Sequence, residues 1–127
     1  MEKENYISIS DSGAKLSVSV IVFKENDVYI AYCPSLDLSG YDHTEEAAKR
    51  DFEYVLHQWL TEQMESNTLH DDLRQHGWKL KGSTAKEPSL IDILRGNKSA
   101  DKVFSMSEYS KLNVRTEIPC CQRTPTS

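Results

Sequence analysis

The chain has 127 residues, 38% of them hydrophobic and 28% charged, the mix of a globular domain with one modest core rather than of a disordered or fibrous chain. No apolar run approaches the roughly 18 residues of a membrane span, and the charged start MEKENYISIS lacks the apolar stretch of a signal peptide. Three cysteines, two of them adjacent at Cys120 and Cys121, do not make a disulfide framework, so a cytoplasmic setting is expected.

The net charge of −5 conceals an asymmetry. Residues 1–72 hold 15 acids against 5 bases, and residues 73–127 hold 5 against 10. The acidic part suits a basic partner, whereas the basic part suits phosphates.

In chain order, Leu16, Val18, Val20 and Val22 alternate with Ser17, Ser19, Ile21 and Phe23, the period of a strand. Asn26-Asp27 tolerates the left-handed backbone of a hairpin turn, and Val28 to Cys33 supplies the returning strand. Pro34 cannot donate to a ladder and stops it. Leu36 and Leu38, alternating with Asp37 and Ser39, predict a short third strand that Gly40 turns away.

Thr44 is placed to cap a long helix, with Glu45 and Glu46 at the positive end of its dipole. Ala48, Phe52, Val55, Leu56, Trp59, Leu60 and Met64 form its apolar stripe, and Lys49, Arg50, Glu53, Gln58 and Glu62 its wet side. A shorter helix begins near Thr68, anchored by Leu69 and Leu73 and closed by Gly77. Trp78-Lys79-Leu80 reads as a brief extended exit, and Gly82 to Glu87 as loop. Pro88-Ser89 introduces SLIDIL, a short helix ended by Gly96-Asn97, and residues 98–110 carry no legible pattern. Leu112, Val114, Thr116 and Ile118 alternate with polar residues in a late strand, stopped by Pro119.

The expected fold is therefore α+β: an antiparallel sheet, built from a hairpin, a short third strand and the late strand, covered by one long helix. Residues 1–82 make the α+β domain, and 83–127 an extension whose strand joins this sheet or that of a second protomer.

PSLDLSGYDHTEEAAK, preceded by a hairpin whose second strand is VYIAYC, resembles the HicB family of type II antitoxins, through Pro34, Leu36, Gly40, Thr44, Glu46 and Ala47. The similarity spans about residues 15 to 80. Asp42 stands where many members have glycine, and beyond Gly82 no pair of amphipathic helices offers the family's frequent DNA-binding domain. The resemblance implies a partial ribonuclease-H-like fold that binds and occludes a small basic ribonuclease toxin of the HicA type. LRQHGWKLKGS is superficially similar to a segment of such toxins, but Thr84 follows Gly82-Ser83 where the toxin has a catalytic histidine.

No catalytic constellation is expected. Asp37, Asp42, Glu45, Glu46 and Asp51 cluster in sequence, yet Glu45 and Glu46 point about 100° apart on a helix and serve its first turn. His43, His57, His70, His76 and the cysteines lack finger-like spacing, so neither metal nor other cofactor is expected. Cys33 reads as a small buried hydrophobe. Tyrosine is favoured both in strands and at interfaces, which makes Tyr29, Tyr32 and Tyr41 readable either way.

The expected activity is antitoxin-like binding through the hairpin and proline loop, with Tyr32, Pro34, Leu36, Asp37 and Tyr41 as contacts. A homodimer or larger oligomer is expected through Leu112, Val114, Thr116 and Ile118. Two rival readings are a DNA-binding regulator using the basic carboxyl half and a solitary interaction module without a toxin.

Overall fold

One long strand organises the molecule. The computed structural model describes residues 5–10, 13–89, 93 and 110–119, in the order β1 (Tyr6–Ser10), β2 (Gly13–Glu25), β3 (Val28–Cys33), β4 (Leu38–Asp42), α1 (Glu45–Ser66), α2 (Leu69–Gln75), β5 (Lys79–Lys81), β6 (Thr84–Lys86) and β7 (Ser110–Pro119). All seven strands belong to one sheet, ordered β4-β3-β2-β1-β6-β5 with β7 also paired to β2, and every pairing is antiparallel. The α+β class, with a long helix on an antiparallel sheet, is as the sequence predicts.

The 13 residues of β2 serve three neighbours. Residues 13–16 pair with β1, residues 21–25 with β3, and residues 13–22 with β7. Because β7 shares residues with both others, β1 and β3 must lie on the opposite edge of β2. Among the described residues that edge has no strand partner from Ser17 to Val20.

The hairpin turn falls at Asn26, whose φ of 60° is the left-handed conformation expected there. The third strand departs from expectation. It starts at Leu38, two residues late, because residues 34–37 form a turn in which the amides of Leu36 and Asp37 both reach back to the Cys33 carbonyl. Gly40 lies within this strand rather than turning the chain out of it. A Cβ there would sit 2.5 Å from the backbone nitrogen of Phe52, so glycine is what lets β4 and α1 touch. Asp51, one residue earlier on the helix, accepts the Tyr41 amide at 3.0 Å and fastens the contact.

Thr44 caps α1 as expected, its hydroxyl accepting from the Ala47 amide at 3.0 Å. Ala48, Phe52, Leu56 and Leu60 are fully buried, with Trp59 and Met64 packed at the margin of the same core. They meet Ile7, Leu16, Val18, Val20, Ala31, Cys33 and Val114 from the sheet. Gly77 takes the left-handed conformation after α2, at φ 86°. Thr68 makes no side-chain cap bond, its hydroxyl being engaged with Gln63 and Ser66.

Three elements were not legible as strands or differ in extent. Tyr6–Ser10 and Thr84–Lys86, read as a charged start and a loop, pair with each other, and the late strand runs the full 10 residues from Ser110. Both β6 and β7, beyond residue 82, share the sheet with the preceding strands. The short helix over SLIDIL lies outside the described residues apart from Ser89 and Ile93, as do 98–109 and the cysteine pair.

Replacing Gly40 by alanine should destabilise the protein by about 3 kcal/mol, since the obstacle is helix backbone that no rotamer change relieves. Urea melts read this cost directly. Alanine at the exposed neighbour Ser39 should stay within about 0.5 kcal/mol of wild type.

Candidate binding surface

Two features stand out, one polar and internal, one acidic and external. The internal one fills the gap beside β2. Backbone groups of a central strand need partners, and Ser19 has no strand on that edge to supply one. Glu87 takes the place of a strand: its Oε2 accepts the Ser19 amide at 3.1 Å and its Oε1 accepts the Ser19 hydroxyl at 3.0 Å. The same carboxylate accepts a short hydrogen bond from the hydroxyl of Ser35, which is 1% exposed.

Asn5 completes the plug. Its Nδ2 donates to Ser19 Oγ at 2.7 Å and to Glu87 Oε1 at 2.8 Å, while its Oδ1 accepts from Ser17 Oγ at 2.9 Å. The Asn5 carbonyl also takes the Glu87 amide, at 3.0 Å. Trp78 closes the other side, its indole Nε1 donating to the Ser35 carbonyl at 2.9 Å from a buried position. A cavity of about 200 Å³ opens beside this network, bounded in part by Ser19, Pro34, Ser35, Glu87 and Lys111.

The chemistry of this cluster is restraint. The Ser35 hydroxyl donates to the Glu87 carboxylate, and among the described residues no histidine or lysine is bonded to either of its oxygens. Cys33, at the base of the cluster, is completely buried, and burial pushes its thiol up to about 12, with the nearby Glu87 charge adding in the same direction. The Ser35 hydroxyl, 3.4 Å away, opposes that shift only in part. Cys33 is thus a protonated thiol at neutral pH, the small buried hydrophobe read from its sequence context. Among the described residues no group of three or more histidine, cysteine or acidic side chains is arranged to hold a metal ion.

The external feature follows from register. Tyr29 pairs with Asp42, so the end of β4 lies beside the Asn26-Asp27 turn. Glu25 and Asp27 flank that turn, Asp42 ends β4, and Glu45 and Glu46 open α1. Five exposed carboxylates therefore collect on one end of the sheet, with Tyr41 beside them at 65% exposure. Lys24, next to Glu25, lies over the Tyr29 ring at 5.5 Å, and Lys49 and Arg50 follow one turn along α1.

The five predicted contact residues separate in space. Tyr32, Pro34 and Leu36 are buried: Tyr32 sits with Ile21, Phe23 and Ile93 on the sheet face away from α1, its hydroxyl donating to Asp37 at 2.9 Å. Asp37 is exposed at the proline turn, in a left-handed conformation at φ 57°. Tyr41 is exposed toward the other end, near the acidic rim. Leu112, Val114, Thr116 and Ile118 align with Val20, Val18, Leu16 and Ala14 of the same chain.

Sequence reasoning did not find Asn5, Ser35, Glu87 or Trp78 as a unit. Their separations, up to 82 residues between Asn5 and Glu87, leave no local pattern to read. The one available signal was Ser17 and Ser19, two polar residues in a strand whose other positions are largely apolar.

Glu87→Ala strands a half-buried backbone amide and a buried hydroxyl, and should cost about 3 kcal/mol in urea, with Glu87→Gln losing less because it keeps an acceptor. Cys33 gives a pH signature. Its neutral thiol is favoured by folding, so its contribution is complete below the unfolded value of 9.0 and is lost as pH rises toward about 12. The stability difference between wild type and Cys33→Ala should therefore shrink above pH 9.0, measured by melts across that range.

No protein-family model, curated protein or solved structure matches the chain.

Proposed function

We propose that the protein is an antitoxin-like binding module that neutralises a small basic ribonuclease of the HicA type by covering it, with a ribonuclease-H-like core as the scaffold. The observation that supports this reading is the gathering of Glu25, Asp27, Asp42, Glu45 and Glu46 on one end of the sheet, beside exposed Tyr41. The rim charges are presented by a hairpin turn, a strand end and a capped helix start, the last two brought together by the close approach of Gly40 to Phe52.

Such a surface suits a cationic protein. Complementary potential speeds encounter and disfavours wrong partners, while an exposed tyrosine provides a large contact at low entropic cost. The internal cluster supports the same reading, since its serine and cysteine are spent on hydrogen bonding and packing. No helix among the described residues is long and apolar enough to cross a membrane. A DNA-binding role through the basic carboxyl half is the weaker alternative, because no recognition helix is present among the described residues of that half.

The test mixes the protein with a purified HicA-type ribonuclease and follows RNA cleavage. Cleavage should be suppressed near equimolar protein and return as salt is raised. Asp27→Lys combined with Glu45→Lys should weaken inhibition about a hundredfold, given two lost charge pairs at an interface. Undiminished cleavage under a large molar excess of folded protein counts decisively against the proposal.

A further inference from the structure

Among the described residues, the longest sheet edge without a strand partner belongs to β7. The Ser19 amide points to Glu87, away from β7, so the Ser19–Asn113 pair is one whose backbone groups face outward on both strands. By alternation, Leu112, Val114, Thr116 and Ile118 bond to β2, while Lys111, Asn113, Arg115 and Glu117 turn their amides and carbonyls to the free edge. All four of these residues are exposed, and among the described residues no strand occupies that edge.

We infer that two copies of the chain join edge to edge through β7, antiparallel, with Val114 on the two-fold axis. This register sets Lys111 against Glu117 of the second copy, twice by symmetry, and Asn113 against Arg115. All of these are positions with outward backbone groups, so each pair exchanges two hydrogen bonds, and the Lys–Glu pairs add opposite charge directly across the ladder. Neighbouring registers fail on charge. Sliding by two residues one way opposes Arg115 to its own copy, and the other way opposes Lys111 to Arg115. Sliding by four in the direction that pairs Arg115 with Glu117 leaves Lys111 outside the ladder.

Charges on an edge strand commonly keep other chains away. Here the order Lys, Asn, Arg, Glu on alternate positions is self-complementary in one register, so it excludes other partners while admitting a second copy. The dimer is independent of the toxin reading, since the acidic rim lies on the turn between β2 and β3, the end of β4 and the start of α1, and leaves the β7 edge uncovered.

Sedimentation equilibrium of the full chain, from micromolar to submillimolar concentration, tests the proposal. Wild type should show a concentration-dependent dimer. Arg115→Pro removes an outward amide hydrogen that β2 does not use, and should weaken the dimer at least about tenfold while circular dichroism and the melting curve at low concentration are unchanged. Lys111→Glu should also weaken it, and the exchange Lys111→Glu with Glu117→Lys should restore it. A wild-type chain that stays monomeric throughout, or a dimer indifferent to both Arg115→Pro and Lys111→Glu, overturns the inference.

Discussion

The Ser19 amide, in the middle of the longest strand, is the point on which the architecture turns. β2 is shared between two hairpins, one with β1 and one with β3, that cannot both extend along its edge without colliding. The space between them would leave a half-buried peptide amide without a partner, a cost comparable to a whole hydrogen bond. Glu87 enters that space from beyond β6 and accepts the amide, with Asn5 and Ser35 satisfying the rest of its oxygens. One carboxylate thus ties the amino terminus, the proline turn and the carboxyl-side strands into a single sheet.

On the other face, packing is governed by close approach. Gly40 brings β4 against the backbone of Phe52, so α1 settles over the sheet at a fixed depth and four of its apolar side chains are fully enclosed. Three potentially reactive side chains are taken up by these demands. Cys33 is buried and protonated, Ser35 is bonded to a carboxylate, and Asp51 holds the Tyr41 amide. Two exposed features remain among the described residues, an acidic rim at the hairpin end and a β7 edge that no described strand occupies. The two proposed contacts draw on these surfaces, through charge in the first case and backbone hydrogen bonds in the second.

Much of this fold was legible because its signals are local. Asn26-Asp27 marked a turn, Thr44 a cap, and the spacing of Ala48, Phe52, Leu56 and Leu60 a buried helix stripe. The short strands β1 and β6 were not, since YISIS and TAK are stabilised by each other and by Ile7 and Ala85 entering the core, rather than by local preference. For the site, the contrast is sharper. The alternation around Leu36 predicted a strand there, but the Cys33 carbonyl captures two amides and turns that segment, with Pro34 and Leu36 buried.

The sequence alone determined the helix, the first hairpin, the late strand and the inertness of Cys33, because each rests on residues within a few positions of one another. Only tertiary structure decided which acids gather, which tyrosine stays exposed and why Gly40 must be glycine. Those outcomes depend on strand register and on contacts such as Asn5 with Glu87, which join parts of the chain that no local pattern connects.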